Sequence, residues 1–282
     1  MTFLEAIFLG IIQGLTEFLP ISSTGHLTIA GKLMGLISTE NPEHWTSFIA
    51  VIQLGTLLAI IIYFRKDLWS IFIDFMKDNL IKPKKYSVQS NNSKMGWLII
   101  LGSIPVAIIG LGFKDLIEGA FTKNLLVIAS SLIVLGIILA LAEKIGKFKR
   151  EIKDITWKDA VIIGFAQSLA LIPGSSRSGT TITAGIFLGF KRETAARFSF
   201  LLSVPAIFGS GLLEFYSSLK YIQLDGLINL FLATIASAIS GYLTIAFLLS
   251  FLKKNSTMVF VFYRIVLGII IFVLIGMNVI TP

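Results

Sequence analysis

The 282-residue sequence has no cysteine, which excludes disulfides, thiolate metal sites and a cysteine nucleophile. Charge is scarce as well: Asp, Glu, Lys and Arg make up 14% of residues, against 55% hydrophobic. A water-soluble globule of that composition would precipitate. No basic n-region stands ahead of the first apolar stretch, so no cleaved signal peptide is expected. What is abundant is long uncharged runs. Residues 46–64, 96–113, 124–142, 198–213 and 226–252 are mostly long enough to cross a hydrocarbon core of about 30 Å. They do not alternate with period two, so a polytopic helical membrane protein is expected and a barrel excluded.

The formal charge of +8 would suit a nucleic-acid binder if the basic residues formed a stripe, but they do not. Seven of the 24 Lys and Arg fall between Arg65 and Lys94, six between Lys144 and Lys158, three between Lys191 and Arg197, and Lys253 and Lys254 form a pair. The alternate loops carry only Lys32, Lys114, Lys123 and Lys220. This is the positive-inside pattern, so the rich loops are expected in the cytoplasm and no nucleic-acid partner is expected.

Threading the chain through those loops gives six spans, at 46–64, 96–113, 124–142, 198–215, 226–252 and 258–280. Two apolar stretches remain, 3–37 and 160–190, each interrupted by a proline and a run of hydroxyl residues. Residues 160–172 would make a helix of only about 20 Å before Pro173-Gly174 stops it. Both stretches are therefore expected to be re-entrant broken-helix hairpins. Pro20-Ile21-Ser22-Ser23 recurs as Pro173-Gly174-Ser175-Ser176, with Gln13 and Gln167 upstream, and Ile-Val-Leu-Gly-Ile-Ile at 133–138 recurs at 265–270. One membrane domain of two repeats follows, 1–145 and 155–282. With three spans in each, the repeats must have inverted topology, and the two breaks should meet near the midplane.

Ionisable groups inside apolar segments each cost roughly 2.5–3.5 kcal/mol on insertion scales, so each needs a role. Glu17, His26, Arg177 and Arg264 qualify. Gln13 and Glu17 are one helical turn apart on one face, which suits a divalent-cation site, a general base or a partner for His26. Ser22, Ser23 and Thr24 open the helix after the first break, and Ser175 and Ser176 hold the same place in the second. Helix N-termini of this kind attract anions. Arg177 adds a fork suited to phosphate. His26, three residues after Ser23, is a candidate acid or base for its hydroxyl. Arg264 could serve the site, pair with Glu214 or snorkel, and a structural role is expected for it. Taken together these are the parts of a phosphoryl-transfer site for a lipid phosphate.

The string from Gln13 to His26, QGLTEFLPISSTGH, and the string from Pro173 to Thr181, PGSSRSGTT, resemble the two motifs of the undecaprenyl-diphosphate phosphatases of the bacitracin-resistance type, and the order of apolar segments fits over essentially the whole chain. The resemblance implies hydrolysis of undecaprenyl diphosphate to the monophosphate carrier for cell-wall synthesis. It further implies a multi-pass protein of the bacterial plasma membrane whose site opens to the outer face, with a dependence on Mg2+ or Ca2+. Carried over, Ser23 is the nucleophile, His26 the acid or base, and Glu17 with Gln13 the base or metal anchor. Arg177 with Ser176 and Ser178 is the phosphate clamp, joined by Ser22 and Thr24. Whether Ser23 or His26 takes the phosphoryl group stays open. The expected partners are a polyprenyl diphosphate and membrane lipids, with a homodimer left open. A prenyl-phosphate transporter or flippase would use the same anion site without a reacting Ser23. A phosphatidic-acid phosphatase of type 2 would want a second histidine, and only His44 is available.

Overall fold

The computed structural model describes residues 1–37, 42–113, 124–218 and 224–281; Lys114, Lys123 and Lys220, counted above among the sparse loops, lie outside them. Eleven α-helices account for most of what is described, and the one β feature there is an isolated bridge between Arg150 and Phe190. In chain order they are α1 (Phe3–Phe18), α2 (Ser23–Leu33), α3 (Pro42–Tyr63), α4 (Arg65–Met76), α5 (Asn91–Gly112), α6 (Leu125–Ile145), α7 (Trp157–Ser168), α8 (Arg177–Phe187), α9 (Arg192–Ser218), α10 (Leu224–Leu252) and α11 (Met258–Gly276). Six of them, α3, α5, α6, α9, α10 and α11, are long and apolar enough to cross a membrane, and they are the six expected from the apolar runs.

The two expected breaks fall where proline dictates. Leu19 leaves α1 in an extended conformation, as the residue before Pro20 must. Ile172 does the same before Pro173, after a 3-10 turn at Leu169–Leu171. Each following helix restarts at a serine in the left-handed region, Ser22 with φ 77° and Ser176 with φ 67°. The Ser22 side chain accepts from the Gly25 N–H at 3.2 Å, and that of Ser176 from the Gly179 N–H at 3.1 Å. This capping equivalence corrects the register by one residue from the proline alignment. Ser22, not Ser23, answers to Ser176, and Ser23 answers to Arg177. Gln13 and Gln167 stay paired in this register, but the residue answering to Glu17 is Leu171.

The halves pack through small residues that let backbones approach. A Cβ added at Gly10 of α1 would lie 2.2 Å from the Ala233 carbonyl oxygen of α10, and one at Gly164 of α7 would lie 2.3 Å from the Gly102 carbonyl oxygen of α5. The repeated hexapeptides sit on α6 and α11, which pack on each other; Gly268 in one faces Ile133 in the other. At the base of the second hairpin, Arg150 holds Asp159 through two hydrogen bonds of 2.9 and 2.5 Å and reaches the Leu188 carbonyl at 3.0 Å.

Two differences from the sequence reading are instructive. Helix α9 starts six residues before its apolar run, because Arg192 and Arg197 are paired with Glu143 and Asp67 and so can occupy helical turns. The basic segment 65–95 contains α4, whose Trp69, Phe72 and Ile73 form an exposed stripe at helical spacing, while Phe75 on its other side packs on Trp97 of α5 with ring centroids 5.1 Å apart.

Candidate active site

The tips of the two hairpins meet. Ser178 Oγ donates to the Leu19 carbonyl at 2.9 Å, across the break of the first hairpin. Arg264 of α11, fully buried, ties both tips together. Its Nη1 donates to the Pro20 carbonyl at 3.3 Å, and its Nη2 donates to the carbonyls of Gly174 and Ser175 at 3.4 and 3.0 Å. Further bonds from Nε and Nη2 reach the Leu132 and Ser131 carbonyls of α6. Every partner of this guanidinium is a backbone oxygen, and those of Pro20, Gly174 and Ser175 lie at the helix breaks, where carbonyls are left without a helical partner. The structural role expected of Arg264 is the one its contacts fill.

Glu17 is the hub. Its Oε1 accepts from Arg177 Nη2 at 2.7 Å; its Oε2 accepts from Ser23 Oγ at 2.7 Å and from Gln13 Nε2 at 2.9 Å. A single carboxylate thus joins Ser23 and Arg177, the two residues that hold the equivalent first position of α2 and α8. The pair is shielded, with the Glu17 and Arg177 side chains 5% and 11% exposed. A cavity of about 610 Å3 opens beside them. Glu17, Ser22, Ser23, Thr24, Ser176 and Arg177 line it, and Ile49, Val106, Pro205 and Leu213 are among the apolar side chains of its walls. One ion pair facing apolar walls is the arrangement expected for a ligand with a charged head and a hydrocarbon tail.

Two expected site residues stand apart. His26 is not on the cavity wall. Its Nδ1 is 2.7 Å from the Ser22 carbonyl, which can only accept, so that nitrogen carries the proton. Its Nε2 then accepts from Tyr263 Oη at 2.6 Å, and the two rings stack. The base in contact with the Ser23 hydroxyl is Glu17, not His26. Ser178 is fully buried with its hydroxyl committed to Leu19, so it holds the hairpins together and does not face the cavity. His44 does not line the cavity either.

Three contributors are only partly legible in the sequence. Arg264 stands out there as a buried charge, but its partners, being carbonyls, leave no trace. Tyr263 gave no signal. Gln167 was visible only as the repeat mate of Gln13. In the structure it lines the cavity, is 1% exposed, and has no hydrogen-bond partner for either amide atom; Gln13 Oε1, Ser175 Oγ and Arg177 Nη1 are likewise buried without one.

The profile of the bacitracin resistance protein BacA family matches residues 6–270. The chain belongs to that family. It is 59% identical, over 95% of each chain, to a curated protein of Syntrophobacter fumaroxidans named undecaprenyl-diphosphatase. Proteins of the same name from Chlorobium phaeovibrioides and Renibacterium salmoninarum are 47% and 45% identical over 98% or more of each chain. The BacA match takes in both breaks, five of the six long helices whole with most of α11, and every residue of the Glu17 hub.

No group of three or more His, Cys, Asp or Glu poised for a metal occurs among the described residues. The oxygens at hand are those of Glu17 and the unpartnered Gln13 Oε1. Such a set fits a hard cation that draws most of its ligands from water and substrate phosphate, as Mg2+ ordinarily does.

Proposed function

We propose that this protein is a membrane-embedded phosphatase that hydrolyses undecaprenyl diphosphate to undecaprenyl phosphate and inorganic phosphate. The observation that carries the reading is the shared carboxylate: Glu17 holds the Ser23 hydroxyl on one oxygen and the Arg177 guanidinium on the other, on the wall of a largely apolar cavity. The names of the relatives supply the substrate.

The terminal phosphate lies against Ser23, and the prenyl chain runs along the apolar walls. Ser23 Oγ attacks the terminal phosphorus while its proton passes to Glu17 Oε2. The bond from phosphorus to the bridging oxygen breaks, and the lipid monophosphate departs with that oxygen. Water then attacks the phosphoserine, a proton returns to Ser23 Oγ from Glu17, and Glu17 takes the proton of the water, so that serine and inorganic phosphate are regenerated. Arg177 and the unpaired N–H groups at the start of α2 and α8 stabilise charge on the equatorial oxygens. Arg177 Nη1, which has no partner within the chain, is the arm left for that contact. His26, held by Tyr263, braces the turn that carries Ser23. A divalent cation, if bound by Glu17 and Gln13 Oε1, would neutralise charge on the diphosphate.

The same reading includes orientation. Helices α2 and α8, eleven residues each, reach about 16 Å and cannot cross the bilayer. We infer that the hairpins are re-entrant, inserted from opposite faces as parts of an inverted repeat. The basic loops then lie in the cytoplasm, and the cavity opens to the outer face of the plasma membrane.

The test is phosphate release from a long-chain prenyl diphosphate by purified protein. Ser23→Ala and Arg177→Ala should each abolish release while the protein stays folded in detergent, and excess chelator should stop turnover until Mg2+ or Ca2+ is restored. Turnover at the wild-type rate in Ser23→Ala would remove the nucleophile and with it the mechanism.

A further inference from the structure

Among the described residues Gln167 is a buried amide with neither polar atom partnered. It sits near the end of α7, 1% exposed, on the wall of the cavity that Ser23 and Arg177 also line, and neither its Nε2 nor its Oε1 has a partner. A buried amide left unpaired costs free energy that a leucine of similar size would not. Its counterpart explains what is missing. Gln13 donates to Glu17 one turn further along α1, but one turn beyond Gln167 the chain has Leu171. Among the described residues no carboxylate answers this amide, which leaves the cavity it lines as the source of an acceptor.

The cavity that Gln167 lines is also lined by the first residues of α2 and α8, Ser23 and Arg177, and Arg177 Nη1 is orphaned too. An amide N–H facing the same space is neutral, so it adds a directed donor without adding charge. A diphosphate brings two phosphoryl groups, and the Glu17–Ser23–Arg177 cluster engages one of them for transfer. We propose that Gln167 is a specificity-determining residue that binds a phosphoryl oxygen of the substrate's diphosphate head through Nε2. Its Oε1 meets the proton or cation that accompanies the phosphate. This inference rests on the phosphatase reading above.

The experiment is steady-state kinetics on Gln167→Leu and Gln167→Glu with a long-chain prenyl diphosphate, together with thermal unfolding in detergent. Removing a donor to a charged oxygen should raise KM for Gln167→Leu about tenfold or more, with kcat within about threefold of wild type. Its melting temperature should equal or exceed that of wild type, since no bond within the fold is lost. Gln167→Glu keeps the shape, turns the donor into a repelling charge, and should raise KM further. Product inhibition in Gln167→Leu then identifies the phosphate. Weakened inhibition by prenyl monophosphate assigns the contact to the phosphate kept on the lipid, and weakened inhibition by inorganic phosphate assigns it to the one transferred.

Unchanged KM and unchanged inhibition by both products in Gln167→Leu would overturn the proposal, as would wild-type KM in Gln167→Glu. A lowered melting temperature in Gln167→Leu would also overturn it, by giving the amide a partner in the fold. Wild-type protein that releases no phosphate would sink the phosphatase reading and this inference together. An active wild type beside an indifferent Gln167→Leu would sink this inference alone.

Discussion

At the tip of the first hairpin, Glu17, Ser23 and Gln13 are tied to one another, and His26 is locked between Ser22 and Tyr263. At the tip of the second, whose backbone repeats the same proline break and the same left-handed serine cap, Gln167 and the Ser175 hydroxyl have no partner and Arg177 uses only one arm of its fork on Glu17. The two tips share one local backbone geometry and differ in how their side chains are bonded. One is pre-organised, with the Ser23 hydroxyl already on the Glu17 carboxylate. The other keeps donors in reserve, which is how a site receives an anion it does not permanently hold. The division turns on a single pair of positions, Glu17 and Leu171: the carboxylate on one side gives the Gln13 amide N–H an acceptor, and the Gln167 amide N–H has none.

The comparison breaks most completely if Glu17 is neutralised. Glu17→Gln keeps the shape but removes the base for Ser23 and the charge that holds Arg177. We expect kcat for phosphate release to fall by about 10²–10⁴-fold, the range for losing a positioned general base, with the protein still monodisperse in detergent. A loss below tenfold would mean that Ser23 gives its proton elsewhere and that the pre-organised half is only scaffold.

Next in size is the tie between the halves. Arg264→Met fills much the same space but leaves the carbonyls of Pro20, Gly174 and Ser175 without their donor. Two or three buried acceptors left unsatisfied at about 1–3 kcal/mol each exceed what is recovered by no longer burying a charge in a site this well bonded. The melting temperature in detergent should fall, and kcat should fall by about tenfold as the tips separate. Unaltered stability would show that Ser178 and the helix packing suffice to hold the hairpins together.

Much of this was legible in the chain itself. Six apolar runs became six long helices, and both broken segments appeared because a proline fixes the backbone on either side of it wherever it sits. Glu17 and Arg177 stand out because a charge in an apolar run has few reasons to exist, and Ser23 because it belongs to the hydroxyl run that opens the helix after the first break. What escaped is what depends on direction rather than composition. The repeat was read in a register set by its prolines, whereas the backbone sets it by the capping serines. That one-residue difference hides the correspondence of Ser23 with Arg177. His26 was drawn toward Ser23 by closeness in sequence, but its ring turns to Tyr263, 237 residues away. Helix α4 was missed because seven basic residues in 65–94 outweighed a short stripe of Trp69, Phe72 and Ile73.

The smallest expected effect is the most informative about the asymmetry, because it sets the two glutamines against each other. Gln13 holds a reacting group and Gln167 faces a ligand, so equal substitutions should fail in different ways. Gln13→Leu removes a 2.9 Å bond to Glu17 and leaves the cavity wall intact, since Gln13 does not line it. Freed of that donor, Glu17 is less fixed against Ser23, and kcat should drop by about three- to tenfold, the low end for a hydrogen bond to a charged group. KM should stay within about twofold, and the melting temperature should fall slightly, because this amide, unlike its mate, has a bond within the fold to lose. The opposite pattern, a raised KM at constant kcat, would place Gln13 in contact with substrate and make the two halves alike, and the division of labour inferred from their unequal bonding would then be wrong.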